Sequence, residues 1–212
     1  MKRRFIRLMI ASLTSFVLAL FALPSYGAEE TGNAALGIDS ITKKINISSY
    51  KFDSDLSDYD IFKNLLLDVL ASKPKSAAWA LADGNVALTA FIPTDRAFRK
   101  LVKTLTGKSL AKEVNIYNTL LSLGTTKLEQ VLLYHVVVGA PLTSGEVLTK
   151  NGEFLTTAQG STLRISLVDT VLRIRDKDTK RENPEVILTR VDQNVGNRQV
   201  FHPINGVLMP AI

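Results

Sequence analysis

The apolar positions open the chain as one uninterrupted block. Residues 8–23 carry no charge, and Lys2, Arg3, Arg4 and Arg7 stand just before them. Pro24-Ser25-Tyr26-Gly27-Ala28 and then Glu29-Glu30 follow. A basic start, an apolar middle and a small-residue exit is the order of a secretory signal. Cleavage is expected after Gly27, with Ser25 at the −3 position, or one residue later. The block is shorter than the roughly 20 residues that span hydrocarbon, which favours a cleaved signal over a retained anchor. Residues 28–49 are rich in Gly, Ser, Thr and Asn with weak periodicity, and are expected to form a flexible leader.

From residue 60 the pattern turns helical. Ile61, Phe62, Leu65, Leu66, Val69 and Leu70 fall on one broad face of a helix over 60–72, which Asp60 can cap and Pro74 ends. Residues 76–81 predict a further helical turn around Trp79, the single tryptophan, with that ring filling the core. Residues 86–92 read as a buried strand that Pro93 breaks. Thr94 or Asp95 is placed to cap the next helix, which carries Phe98, Leu101, Val102 and Leu105. Residues 109–123 predict another helix with Val114, Tyr117, Leu120 and Leu121 inward and Gly124 closing it. Thr126 and Glu129 have capping-box spacing ahead of Val131, Leu132 and Leu133.

After His135 the period changes to two. Strands are predicted at 136–138, 154–157, 162–167, 171–174, 186–189, 200–202 and 207–209. Helices in the first half and short antiparallel strands in the second indicate an α+β fold, with helices banked on one side of a sheet or wedge. The expected division is a signal over 1–27, the leader over 28–49 and one domain over 50–212.

The charge balance changes little once the signal is set aside. The chain holds 26 basic and 20 acidic side chains, a net +6. Without Lys2, Arg3, Arg4 and Arg7 the balance is 22 against 20, or +2. That gives no electrostatic case for nucleic acid. There is no cysteine, so zinc–thiolate sites, redox pairs and cysteine nucleophiles are excluded. Residues 173–190 concentrate six basic and four acidic side chains. Two readings of that stretch stand: a solvated hairpin and loop, or a binding surface carried by Arg175, Lys177, Lys180 and Arg181.

Candidate chemistry is sparse. The two histidines, His135 and His202, sit in apolar, strand-like stretches outside any serine-hydrolase motif. There is no HExxH, EF-hand loop, P-loop or GxGxxG, so no metal or other cofactor is expected. The pairs Asp53/Asp55 and Asp58/Asp60 are assigned to capping and helix-dipole roles.

Several segments, in order and spacing, resemble the fasciclin domain family. Leu88-Thr89-Ala90-Phe91-Ile92-Pro93-Thr94-Asp95-Arg96-Ala97-Phe98 is similar to its first signature. Leu132-Leu133-Tyr134-His135-Val136-Val137-Val138-Gly139 resembles the central leucine-tyrosine-histidine segment, continued by Thr143-Ser144-Gly145-Glu146-Val147-Leu148. Thr156-Thr157-Ala158-Gln159-Gly160 is like its strand-turn. Arg198-Gln199-Val200-Phe201-His202-Pro203-Ile204-Asn205-Gly206-Val207-Leu208-Met209-Pro210 resembles the closing signature.

The resemblance implies a wedge of short β-strands with several α-helices on one flank, and an extracellular adhesion or interaction role without catalysis. It also marks Tyr134 and His135, a pair associated with adhesion in the family, although their apolar flanks predict burial. Arg198-Gln199 stands where many members carry Asn-Gly. Gln193-Asn194 stands where some animal members carry an integrin-linked Asp-Ile, so that activity is not carried over. Residues 107–126 and 175–184 are longer than the family's usual connections.

The expected function is an exported, non-enzymatic module for adhesion, extracellular matrix or biofilm contacts. Its partner would be an extracellular or surface protein or a matrix component, met outside the cell or in the periplasm. The alternative is a periplasmic carrier for a small apolar or lipid-like ligand, held between helices and wedge. After signal cleavage the chain is not expected to span a membrane.

Overall fold

The computed structural model describes residues 36–46 and 51–211. The expected signal over 1–27 lies outside them. The elements run α1 (Ile41–Lys44), α2 (Asp60–Ser72), a 3-10 turn (Ala77–Leu81), β1 (Leu88–Pro93), α3 (Asp95–Thr106), α4 (Glu113–Leu121), α5 (Thr125–Tyr134), β2 (Val136–Val138), α6 (Ser144–Thr149), β3 (Phe154–Thr156), β4 (Thr162–Val168), β5 (Val171–Arg175), a 3-10 turn (Leu188–Arg190) and β6 (Gln199–Ile204).

The strands form two three-stranded sheets, ordered β2-β1-β6 and β3-β4-β5. Single bridges at Val137–Thr157 and Val186–Ile204 tie the strand segments into a wedge. β1 is central and buried along its whole length, which is why its sequence is a continuous apolar run rather than an alternation. Its Leu88, Ala90 and Ile92 pack with the helices, among Phe62, Leu66, Phe98 and Leu132. Phe91 turns the other way, into a second cluster with Tyr134, Leu163, Ile165, Ile174 and Leu208. So the fold is α+β, with helices on one flank of the strand wedge.

Pairing departs from the expectation at β6, which runs parallel to β1, with Leu88 opposite Gln199 and Phe91 opposite His202. Period alone sets which face a residue takes, not the direction of a distant partner. The stretches expected as strands at 186–189 and 207–209 are not strands. Val186 makes only single bridges, and Val207 and Leu208 are buried without pairing.

The helices show three further corrections. Trp79 is 46% exposed and fills no core. α4 begins at Glu113 and turns Ile116 and Leu120 inward, leaving Val114 exposed. The capping-box spacing at Thr126 does not form a cap, because α5 starts at Thr125, two residues earlier than such a cap would place it, after Gly124 at a positive φ of 87. A capping box does form at Thr143 and Glu146, heading α6.

Within the stretch expected to be a flexible leader, residues 36–46 are docked. Ile41 is fully buried, and its amide donates to Gln199 Oε1 (2.8 Å). Gln199 Nε2 donates to the carbonyls of Ala80 and Asp83, each at 2.7 Å, so one buried amide side chain joins the leader to the loop ahead of β1. Gly84 lets the leader pass close by: a Cβ there would lie 1.6 Å from the Ile38 carbonyl oxygen.

Candidate functional site

Tyr134 and His135 sit where α5 hands over to β2, and both are fully buried. The tyrosine hydroxyl donates to the Thr162 carbonyl (3.0 Å). Burial first, and then the charge of Asp176, push its pKa up to about 12. The imidazole uses both nitrogens. Nδ1 bonds the Val131 carbonyl (2.7 Å), and Nε2 accepts from the Leu208 amide (3.0 Å). That pattern requires the neutral ring with its proton on Nδ1, and burial pushes its pKa down to about 4. The pair locks helix, strand and C-terminal segment together, and presents no surface to a partner.

His202 is also buried. Its Nδ1 accepts from the Asp192 amide (3.3 Å), and its Nε2 bonds the Leu142 carbonyl (2.9 Å). Burial lowers its pKa. Ser144 is nearby, but its hydroxyl donates to Asp192 Oδ2 (2.6 Å) rather than to the ring. A nucleophile needs its hydroxyl on the base, so this grouping of serine, aspartate and histidine is a structural tie.

The charged stretch is exposed and anchored. Arg173 Nη2 pairs with Glu185 Oε1 (2.9 Å), and Asn205 Nδ2 donates to Glu185 Oε2 (3.0 Å). Asp176 Oδ2 accepts from the Met209 amide (2.8 Å). Further along, Arg190 lies over the Tyr59 ring (5.4 Å) and bonds the Ser57 carbonyl. Between the anchors, Arg175, Lys177 and Lys180 are exposed and Arg181 is half-buried.

Lys180 and Arg181 line a groove of about 770 Å³ together with Lys100, Thr104, Arg173 and Asn205, and with Glu182 and Glu185 on the same wall. Arg175 and Lys177 are not part of that lining. Lys100 and Asn205 were not singled out by sequence: a lysine on the polar face of α3 has no distinguishing pattern. The apolar crevice among Leu65, Phe98, Leu120 and Leu132 holds about 30 Å³, far below the ~300–1,000 Å³ of ligand pockets.

A second polar site lies where the loop ahead of α2 meets the start of α4. Asp95 is fully buried and accepts from the Asp60 amide at Oδ2 (3.1 Å) and the Ile61 amide at Oδ1 (3.0 Å). It thus caps α2, not the helix that it begins. Burial and a hydrogen bond shared with Asp58 push its pKa up to about 9. Beside it, carboxylate oxygens of Asp53, Asp58 and Glu113 converge within 4.8 Å of one another. Burial, and then the charges of Asp58, Asp53 and Asp60, push Glu113 up to about 7, against the lowering by the Asp53 amide.

Two small linked sheets under a bank of helices, with a charged loop standing over a polar groove, define an α+β wedge scaffold. The chain belongs to the fasciclin domain family, whose model matches residues 64–210. Domains of this family occur in cell-adhesion proteins. Among solved structures it is similar to a FAS1 domain pair from the insect cell adhesion molecule Fasciclin I. That likeness has 15% identity and a TM-score of 0.50, and covers 74% of this chain and 48% of that one. The chain therefore spans about half the length of the domain pair, and the likeness shows the fold. No curated protein matches the sequence significantly. Among the described residues, no helix is long and apolar enough to cross a membrane.

Proposed function

We propose that the protein is an exported, non-enzymatic interaction module for adhesion, matrix or biofilm contacts, which receives its partner on the charged loop and the groove beneath it. The observation that carries this reading is the groove of about 770 Å³, walled by Lys100, Arg173, Lys180 and Arg181 together with Glu182 and Glu185. Mixed charge at a solvent-facing concavity suits a polar protein surface or matrix component better than a nucleic acid or a lipid. The small apolar crevice speaks against the carrier alternative. Arg175 and Lys177 belong to the rim of the proposed contact. Tyr134 and His135 would support it from within by holding the wedge in shape.

Mature protein used as bait on the native extracellular fraction is expected to retain a partner that elutes with salt. At ~0.15 M ionic strength the screening length is already about 8 Å, so added salt weakens an exposed charged contact steeply. Replacing residues 177–183 by a short Gly-Ser turn keeps Asp176 and Pro184, whose contacts anchor the loop. The melting temperature is expected to stay within a few degrees of the parent. Partner binding is expected to weaken at least about tenfold, equivalent to ~1.4 kcal/mol. Equal binding by parent and shortened protein would place specificity elsewhere, with residues 107–126 the next region to test.

The domain plan is part of the same proposal: a signal over 1–27, a short leader and a domain reaching the C-terminal segment. N-terminal sequencing of exported protein is expected to begin at Ala28 or Glu29. A mature protein that still carries Met1 would refute the cleaved signal.

A further inference from the structure

We infer that Asp53, Asp58 and Glu113 form a binding site for one divalent cation of the calcium type. Asp53 and Asp58 belong to the loop that enters α2, and Glu113 is the first residue of α4. Their carboxylate oxygens lie within 4.8 Å of one another. Three oxygens so gathered can reach one calcium ion, whose bonds to oxygen of about 2.4 Å put its ligands at most ~4.8 Å apart.

The two shielded members of the group each carry an oxygen with no partner. Asp58 Oδ1 and Glu113 Oε1 are buried without a hydrogen bond. Glu113 as a whole is only 1% exposed. Its other oxygen accepts from the Asp53 amide (2.9 Å), which orients the carboxylate toward the loop. A buried carboxylate oxygen left without a donor is costly, and three like charges at this separation repel. No Lys or Arg among the described residues pairs with any of the three. The Lys63 ammonium, in the first turn of α2, is held by Asp60. A cation would satisfy both orphaned oxygens and cancel the repulsion at once.

The donors are all hard oxygens, which select calcium or magnesium over zinc or copper. Magnesium requires a near-regular octahedron at ~2.0–2.1 Å, whereas calcium accepts an irregular, wider set completed by carbonyls and water. Asp53 is exposed and Asp58 half-buried, so the site opens to solvent on that side. A bound ion would join the loop ahead of α2 to the N-terminus of α4.

The test uses the full-length protein treated with EDTA and titrated with CaCl2 by calorimetry, with MgCl2 at matched ionic strength as comparison. One calcium per chain is expected, with a dissociation constant at or below about 1 mM, together with a rise in melting temperature. Magnesium is expected to bind at least about tenfold more weakly. Asp53→Asn, at an exposed position that the fold tolerates, is expected to weaken calcium binding at least about tenfold. Glu113→Gln is expected to raise the calcium-free melting temperature, by removing one of the crowded charges, and to abolish the further rise on adding calcium. The assignment is overturned if no saturable binding occurs up to about 10 mM, ten times the weakest affinity usual for such sites. Binding that persists at parental strength in either variant overturns it equally.

Discussion

Asp95→Ala is expected to destabilise the protein by about 2–4 kcal/mol, read as a lower urea midpoint with an unchanged slope. The side chain is fully buried and receives the Asp60 and Ile61 amides that begin α2. Losing an ordinary cap costs about 0.5–2 kcal/mol. Here the site is closed to water, and each orphaned donor adds a desolvation cost of about 1–3 kcal/mol. The hydrogen bond that Asp95 shares with Asp58 is lost as well. Asp95→Asn keeps an oxygen for one of the two amides and an N–H for Asp58, so it is expected to lose less than alanine. Equal losses in the two variants would mean that both carboxyl oxygens are needed as acceptors, because asparagine keeps the volume of the side chain.

Alanine at His135 is expected to cost about 3–4 kcal/mol. The substitution opens a cavity in a packed site and leaves the Leu208 amide and the Val131 carbonyl without their partner. The ring also sets a pH dependence. Its folded pKa is about 4 against an unfolded value near 6.5. Between those values the unfolded chain binds the extra proton, so stability is intact above pH 6.5 and falls as the pH drops toward 4. The full effect of that one group is about 3 kcal/mol. His135→Gln has no proton to take up in this window. The gap between parent and variant is therefore expected to narrow as the pH falls from 6.5 to 4. A gap that stays constant would show that the ring is not held neutral in the folded protein.

These two side chains show what a sequence exposes and what it conceals. Helix α2 and strand β1 were legible because each buries a continuous face or both faces, and burial leaves a pattern. The hairpin over residues 162–175 was legible by its alternation. Asp95 was recognisable as a cap, but for the wrong helix: its acceptor role is written in its chemistry, while its donors come from a helix 34 and 35 positions earlier in the chain. Trp79 looked like core because of its size, and packing left it outside. The candidate sites were visible only in part. Lys180 and Arg181 stood out by local charge density, whereas Lys100 reaches the same groove from an ordinary helix face. Glu113 joins Asp53 across 60 positions, a distance over which no spacing rule operates.

The parallel pairing of β1 with β6 also governs the order in which the chain can fold. β1 finds β2 soon after it is made, but its other edge stays open until Gln199–Ile204 arrives. Gln199 is also the residue that fastens Ile41 and the loop at Ala80 and Asp83. The closing contacts therefore join segments 158 positions apart, and such distant contacts form slowly because their loops must close first. A chain threading through a membrane N-terminus first would leave this edge of β1 unpaired until Gln199–Ile204 had passed. A truncation before Gln199 is accordingly a chain that never closes its sheet, with a free apolar strand edge left open to aggregation.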